Sequence, residues 1–172
     1  MDSSTPTRAG VLGRMVLPFA LVPPIMIMLA MRDHAEAYRL NPAAANWEWI
    51  ALVVFAAEIA SVGLVAGMLR LTTPSDRLPP ATGRAWMLAA RAASPLWASA
   101  IVLAVPSLAA LIVAHLLAHA VALRTLYRDI RNEWQLGPGV QALHLTYIVY
   151  SIPVVLWIPI FVMIFVSLSQ GG

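Results

Sequence analysis

The sequence contains no cysteine and no lysine. Without cysteine there is no disulfide, no thiolate metal site and no thiol nucleophile. Charge is also scarce: 11% of the 172 residues are charged, against about 25% in a soluble domain. That excludes a soluble globular enzyme and a disordered tail. The basic excess is small, eleven arginines against eight acidic residues for a net +3. Spread thinly along the chain, it excludes a nucleic-acid binder. There is no Gly-rich phosphate loop, no nucleophile elbow, and no internal repeat of solenoid length. What is abundant is apolar surface. It makes up 60% of the residues, where about 45–50% is ordinary. The 29 alanines and the exclusive use of arginine point to a GC-rich bacterial genome.

A bilayer crossing needs about 20 predominantly apolar residues. Five stretches qualify: 15–31, 47–69, 85–104, 107–123 and 143–168. Only Val105-Pro106 separates the third from the fourth. Proline cannot continue the hydrogen-bonded ladder, so the spacing predicts a tight hairpin rather than one long helix. The expected fold is all-α: an integral membrane bundle of five transmembrane helices. Residues 1–10 form a short tail, and 11–170 form a single membrane domain. The first apolar stretch is read as a retained span rather than a signal peptide, because Pro18, Pro23 and Pro24 interrupt it and Arg32-Asp33-His34 precedes the cleavage-like Ala35-Glu36-Ala37. With five spans, Arg8, Arg14, Arg70, Arg77, Arg84, Arg91, Arg124, Arg128 and Arg131 fall on one side, and Arg32 and Arg39 on the other. The positive-inside rule then places the N-terminus in the cytoplasm and the C-terminus outside.

The connections are too short for a second domain. Asp33 to Asn46 is an outer loop, and Thr72 to Gly83 is an extended inner loop carrying Pro74, Pro79 and Pro80. In Arg124 to Trp134, Leu126, Tyr127, Ile130 and Trp134 recur at helical spacing. This reads as a helix end lying in the inner headgroup region and ended by Gly137-Pro138-Gly139. Trp47, Trp49 and Trp86 read as aromatic belt.

Ionisable groups inside hydrocarbon cost at least about 2.5–3.5 kcal/mol each, so each needs a reason to be there. Four qualify: Glu58, Arg91, His115 and His119. Glu58 is mid-span. His115 and His119 share one helix face, at a depth similar to that of Glu58. His-x-x-x-His with a carboxylate has the residue types of a divalent-metal site or a proton relay. The plainer reading is a Glu–His hydrogen bond that fixes helix packing, and no metal is assigned. Two histidines four apart on one helix cannot both be axial ligands of one haem iron, so no cofactor is expected. The Arg91 stem is long enough to snorkel to the inner headgroups; the other reading has it reach Glu58. Ala56, Ala60, Gly63 and Gly67 form a small-residue stripe ending in a GxxxG pair. It is expected to pack against a neighbour in the chain, or, on the sharper reading, against a second copy or a partner membrane protein. Pro18, Pro23, Pro24, Pro95, Pro153 and Pro159 lie inside spans, where each removes a helix hydrogen bond.

One resemblance emerges from the third and fourth spans. Ala93-Ser94-Pro95-Leu96-Trp97, then Val102-Leu103-Ala104-Val105-Pro106, then a helix leading to Leu126-Tyr127-Arg128, resembles the core signature of the Yip family (Ypt/Rab-interacting, Yip-one domain) and its bacterial inner-membrane branch. Ser94, Pro95, Trp97, Pro106 and Tyr127 carry the likeness, and Leu17-Pro18 resembles the family's proline-bearing first span. Asp129 stands where the family often has glycine after the tyrosine stretch, and the family's long N-terminal segment has no counterpart in these residues. The resemblance implies a multi-pass bacterial inner-membrane protein with five spans and no established chemistry, and does not imply an active site. The leading functional expectation is therefore a non-enzymatic membrane protein acting through helix-mediated contact with lipids, a second copy or partner membrane proteins. The alternatives are a small proton-coupled transporter or channel using Glu58, His115 and His119, and an accessory subunit of a larger membrane complex.

Overall fold

The structure, a computed structural model, describes residues 7–34, 47–71 and 82–134. Among these it is all-helical, with four helices long and apolar enough to cross a membrane. The fifth expected span, 143–168, lies outside the described residues, as do Pro153, Pro159, Gly137-Pro138-Gly139 and the loop residues 35–46 and 72–81.

Helix α1 runs over Arg8–His34 in consecutive pieces, and its prolines set the joints. Thr7 caps the start, its Oγ1 accepting from the Gly10 amide at 3.1 Å. A π-helical stretch, Leu12–Val16, precedes Pro18, and Leu17 donates to the carbonyl of Leu12, five residues back. Leu21 is a turn residue, after which Val22–His34 is α-helical. Pro23 and Pro24 occupy the first turn of that piece, where a missing N–H removes no ladder bond. The helix runs beyond the expected span 15–31 at both ends, to Arg8 and His34. Arg8, Arg14 and His34 depress local hydropathy without stopping the helix.

Helix α2 is Trp47–Leu71, 25 residues or about 37 Å of rise. Helix α3 is Thr82–Ser99, with Pro95 inside it. Pro95 cannot donate to the Arg91 carbonyl, and the Ser94 hydroxyl donates to it instead at 2.8 Å. The chain then tightens into a 3-10 segment, Ala100–Ala104. Val105 is extended, at φ −98° and ψ 122°, as a residue before proline tends to be. Ser107 accepts from the Ala110 amide through Oγ at 3.2 Å, which caps helix α4, Leu108–Trp134. The hairpin predicted at Val105-Pro106 is present.

Helix α4 does not stop at 123: Arg124–Trp134 is its end, as the helical spacing there predicted. Helix α4 is continuous over 27 residues, about 40 Å of rise. Leu126 and Ile130, two of the residues at that spacing, are fully buried in the main core cluster. The arginines make this stretch look like an interface by composition. Its apolar residues nevertheless continue the buried face of α4.

Helix α3 is the hub. It packs against α2, α4 and the first residues of α1, and its 3-10 extension packs against Val22–His34. It can do so because its inward positions are small: Ala85, Ala89, Ala90 and Ala92 are buried, with Leu88 and Trp97 as the bulky exceptions. Small residues let helix axes approach closely, and in a bilayer van der Waals packing largely drives association. Helices α2 and α4 share no comparable interface, because α3 stands between them. The outer surface is apolar, as at Phe19, Ile25, Leu52, Ile112, Leu116 and Leu117. On a soluble domain such a surface would be a large sticky patch; facing lipid it is expected.

Candidate functional site: buried polar contacts of the bundle

The inward row of α2 is Val54, Glu58, Ser61, Val62, Val65 and Leu69, all buried. Glu58 therefore faces α3. Its carboxylate accepts from the Trp97 indole N–H at 2.9 Å. Trp97 is 1% exposed and is the largest fully buried side chain described. One helical turn on, the Ser61 hydroxyl donates to the Glu58 carbonyl at 2.9 Å.

The histidines lie elsewhere. Ser99 Oγ donates to the Leu96 carbonyl at 2.7 Å, and His115 Nδ1 lies 3.3 Å from the same oxygen. With the hydroxyl proton already engaged, this contact requires a proton on His115 Nδ1. His119 Nδ1 lies 2.9 Å from the His115 carbonyl, which can only accept, so His119 donates there. The two rings meet edge to face, with centroids 4.4 Å apart. The expected Glu58–His contact is thus replaced by two separate pairs, Glu58–Trp97 and Ser99–His115. The reason is the order of helices: a residue on α2 and one on α4 are separated by the whole of α3. Among the described residues, no group of three or more His, Asp or Glu side chains is placed to hold a metal ion.

Arg91 corrects a second expectation: it does not reach Glu58. Its Nη1 lies 3.8 Å from Asp129 Oδ2, and Arg128 Nε lies 3.3 Å from Asp129 Oδ1. Asp129 is buried and Oδ2 has no hydrogen-bond partner. Sequence reasoning noticed Asp129 only as a departure from a family pattern. The available signal was that it is the only acidic residue between Arg77 and Asn132, so a charge on α3 had one countercharge within reach across the hairpin.

The small-residue stripe is the third correction. Ala56, Ala60 and Gly67 are exposed, not packed against a neighbour among the described residues. A Cβ on Gly67 would meet nothing within 4 Å. Gly63 is the exception, since a Cβ there would come within 3.2 Å of Trp86 Cη2. Trp86 is half-buried against Gly63, with the Arg8 guanidinium 4.9 Å above its ring. It packs more deeply than a simple belt residue, while Trp49 is 62% exposed. Of the motif residues, Ser94 repairs the ladder at Pro95, Trp97 holds Glu58, Pro106 makes the turn, and Tyr127 is half-buried on α4.

These contacts fix the helix directions. Glu58–Trp97 and Gly63–Trp86 run in opposite senses along α2 and α3, as do Ser99–His115 and Arg91–Asp129 along α3 and α4. Arg8 against Trp86 puts the start of α1 beside the start of α3. Arg8, Arg14, Arg70, Arg84, Arg91, Arg124, Arg128 and Arg131 therefore share one half of the bundle. Arg32 sits at the other end, paired with Asp33 through Nε at 2.6 Å and Nη2 at 2.8 Å.

No family model, no curated protein and no solved structure matches this chain.

Proposed function

We propose that this chain is a non-enzymatic multi-pass membrane protein that works by helix-to-helix contact with a second copy or a partner membrane protein. The observation that carries this reading is the outward small-residue stripe Ala56, Ala60 and Gly67 on α2. Lipid tails gain little from such a stripe, whereas another helix gains close backbone approach. The accessory-subunit reading is a form of the same proposal, and the exposed stripe favours it. The transporter reading has less support, because Glu58 and the two histidines belong to different contacts on opposite sides of α3. The resemblance to the bacterial Yip branch and the clustering of arginines at one end support a bacterial inner membrane, with that end in the cytoplasm.

Crosslinking and native mass spectrometry of the full chain in mild detergent test the proposal. Gly67→Leu is the informative variant, since position 67 faces open space and tolerates a larger side chain within the monomer. The wild type is expected to give a defined oligomer or to retain a membrane partner, and Gly67→Leu to lose it while keeping its helix content. A wild type that is strictly monomeric and partner-free overturns the reading.

A further inference from the structure

Helix α4 packs against α3 on one side and carries a continuous row on the other. Val113, Leu117, Val121, Arg124, Arg128 and Arg131 follow one another at steps of three or four, which keeps them on one face. All six are exposed. The row is apolar along its deep half and guanidinium-lined over its last two turns. Arg91 approaches from α3, where it shares Asp129 with Arg128, at 3.8 Å and 3.3 Å. Asp129 is 8% exposed, while the Arg91 and Arg128 side chains are 49% and 67% exposed.

This geometry has two consequences. One buried carboxylate hydrogen-bonds the Arg128 guanidinium, lies within ion-pair distance of Arg91 on the neighbouring helix, and leaves the two a net positive charge. Each guanidinium offers five N–H donors in a planar fork, more than one carboxylate can accept from. A phosphodiester, with two non-bridging oxygens and one negative charge, matches such a fork. A free phosphate would need only the arginines. An anionic phospholipid would also use the apolar half of the same row, directly below the charged half, for an acyl chain.

We propose that this row of α4, with Arg91, is the seat of one anionic phospholipid. Arg91 and Arg128 hold the phosphodiester, Arg124 and Arg131 rim it, and Val113, Leu117 and Val121 lie along the acyl chain. Asp129 is a positioning residue that sets the two forks and does not touch the lipid. This rests on the membrane-spanning reading above and does not depend on the α2 stripe.

The test is native mass spectrometry of the full-length protein in detergent micelles, titrated with phosphatidylglycerol. Phosphatidylcholine of the same chain length and inorganic phosphate are the comparison arms. Phosphatidylglycerol is expected to bind the wild type and Arg32→Gln alike, since Arg32 is at the opposite end. Affinity should fall about fivefold in Arg128→Gln and roughly thirtyfold in Arg91→Gln/Arg128→Gln, as loss of one and two interfacial arginines implies. Phosphatidylcholine should bind no better than it does to the double variant, and inorganic phosphate should not displace the lipid. Circular dichroism and elution volume check that the double variant is folded; if it is not, Arg124→Gln/Arg131→Gln replaces it, with a loss of similar size expected. Equal binding of the two lipids overturns the proposal, as does a folded double variant that binds like wild type or displacement by millimolar phosphate. A wild type that forms the oligomer but does not bind phosphatidylglycerol overturns only this seat, and a wild type that binds the lipid without forming an oligomer overturns only the stripe.

Discussion

An indole N–H and a carboxylate are each costly alone in hydrocarbon, and in this protein they meet. Trp97 and Glu58 are both buried and 2.9 Å apart, so neither can be altered without exposing the other's need for a partner. Trp97→Phe keeps an aromatic ring but removes the donor and part of the buried volume, which leaves a buried carboxylate unmatched at a cost of about 1–3 kcal/mol beside the loss of packing. Glu58→Gln keeps an oxygen that the indole can reach, and its cost should stay below about 1 kcal/mol, near the average for interhelical hydrogen bonds in membranes. Denaturation in detergent, followed by the loss of circular dichroism, checks the order. Equal midpoints for the two variants would show that the contact is not the reason these residues are buried. The sequence made it plain that Glu58 needs a partner, but not which one. Depth along a span can be counted from its ends, so His115 and His119 looked as good as Trp97. Depth says nothing about lateral order, and it is lateral order that puts α3 between α2 and α4.

Helix ends and joints were partly legible, wherever a residue has a local mechanism. Pro106 announced the α3–α4 turn, because proline dictates its own backbone and that of Val105. The serines beside the breaks were not read as repairs, although Ser94 takes over the Arg91 carbonyl and Ser107 caps α4. Ser107→Ala should destabilise the fold by about 1 kcal/mol, the usual cost of losing a cap, and Ser107→Asp should restore it, since aspartate caps equally well. Unfolding midpoints of the three proteins decide the matter; an alanine variant as stable as the serine protein would mean that the turn is held by Pro106 alone. Hydropathy falls at Arg124, yet Leu126 and Ile130 keep facing the core. Average apolarity marks where hydrocarbon ends, and a helix is free to continue beyond it.

At the scale of the whole molecule, the four described helices alternate in direction, with alanine-rich α3 as their hub, and all their arginines but Arg32 gather at one end. The class, all-helical and apolar enough to span a bilayer, was legible from composition alone. So was the arginine asymmetry, since it depends only on counting spans. The use of each helix face was not. In α2 the bulky row packs inward and the small row faces out, the reverse of what a GxxxG pair suggests by itself, because the alanines of α3 already provide the close approach. Among the described residues that leaves Ala56, Ala60 and Gly67 exposed on α2 and a charged row on α4, and those two surfaces are where the protein is expected to meet its surroundings.

The central claim is that these helices thread a bilayer with the arginine-bearing ends together. Because the chain has no cysteine, single substitutions Thr7→Cys, His34→Cys, Leu71→Cys and Arg131→Cys can be labelled without background in intact cells by a membrane-impermeant maleimide. The account predicts that His34→Cys is labelled from outside, and that Thr7→Cys, Leu71→Cys and Arg131→Cys are labelled only after the membrane is opened. Labelling of Thr7→Cys and His34→Cys from the same face would contradict it.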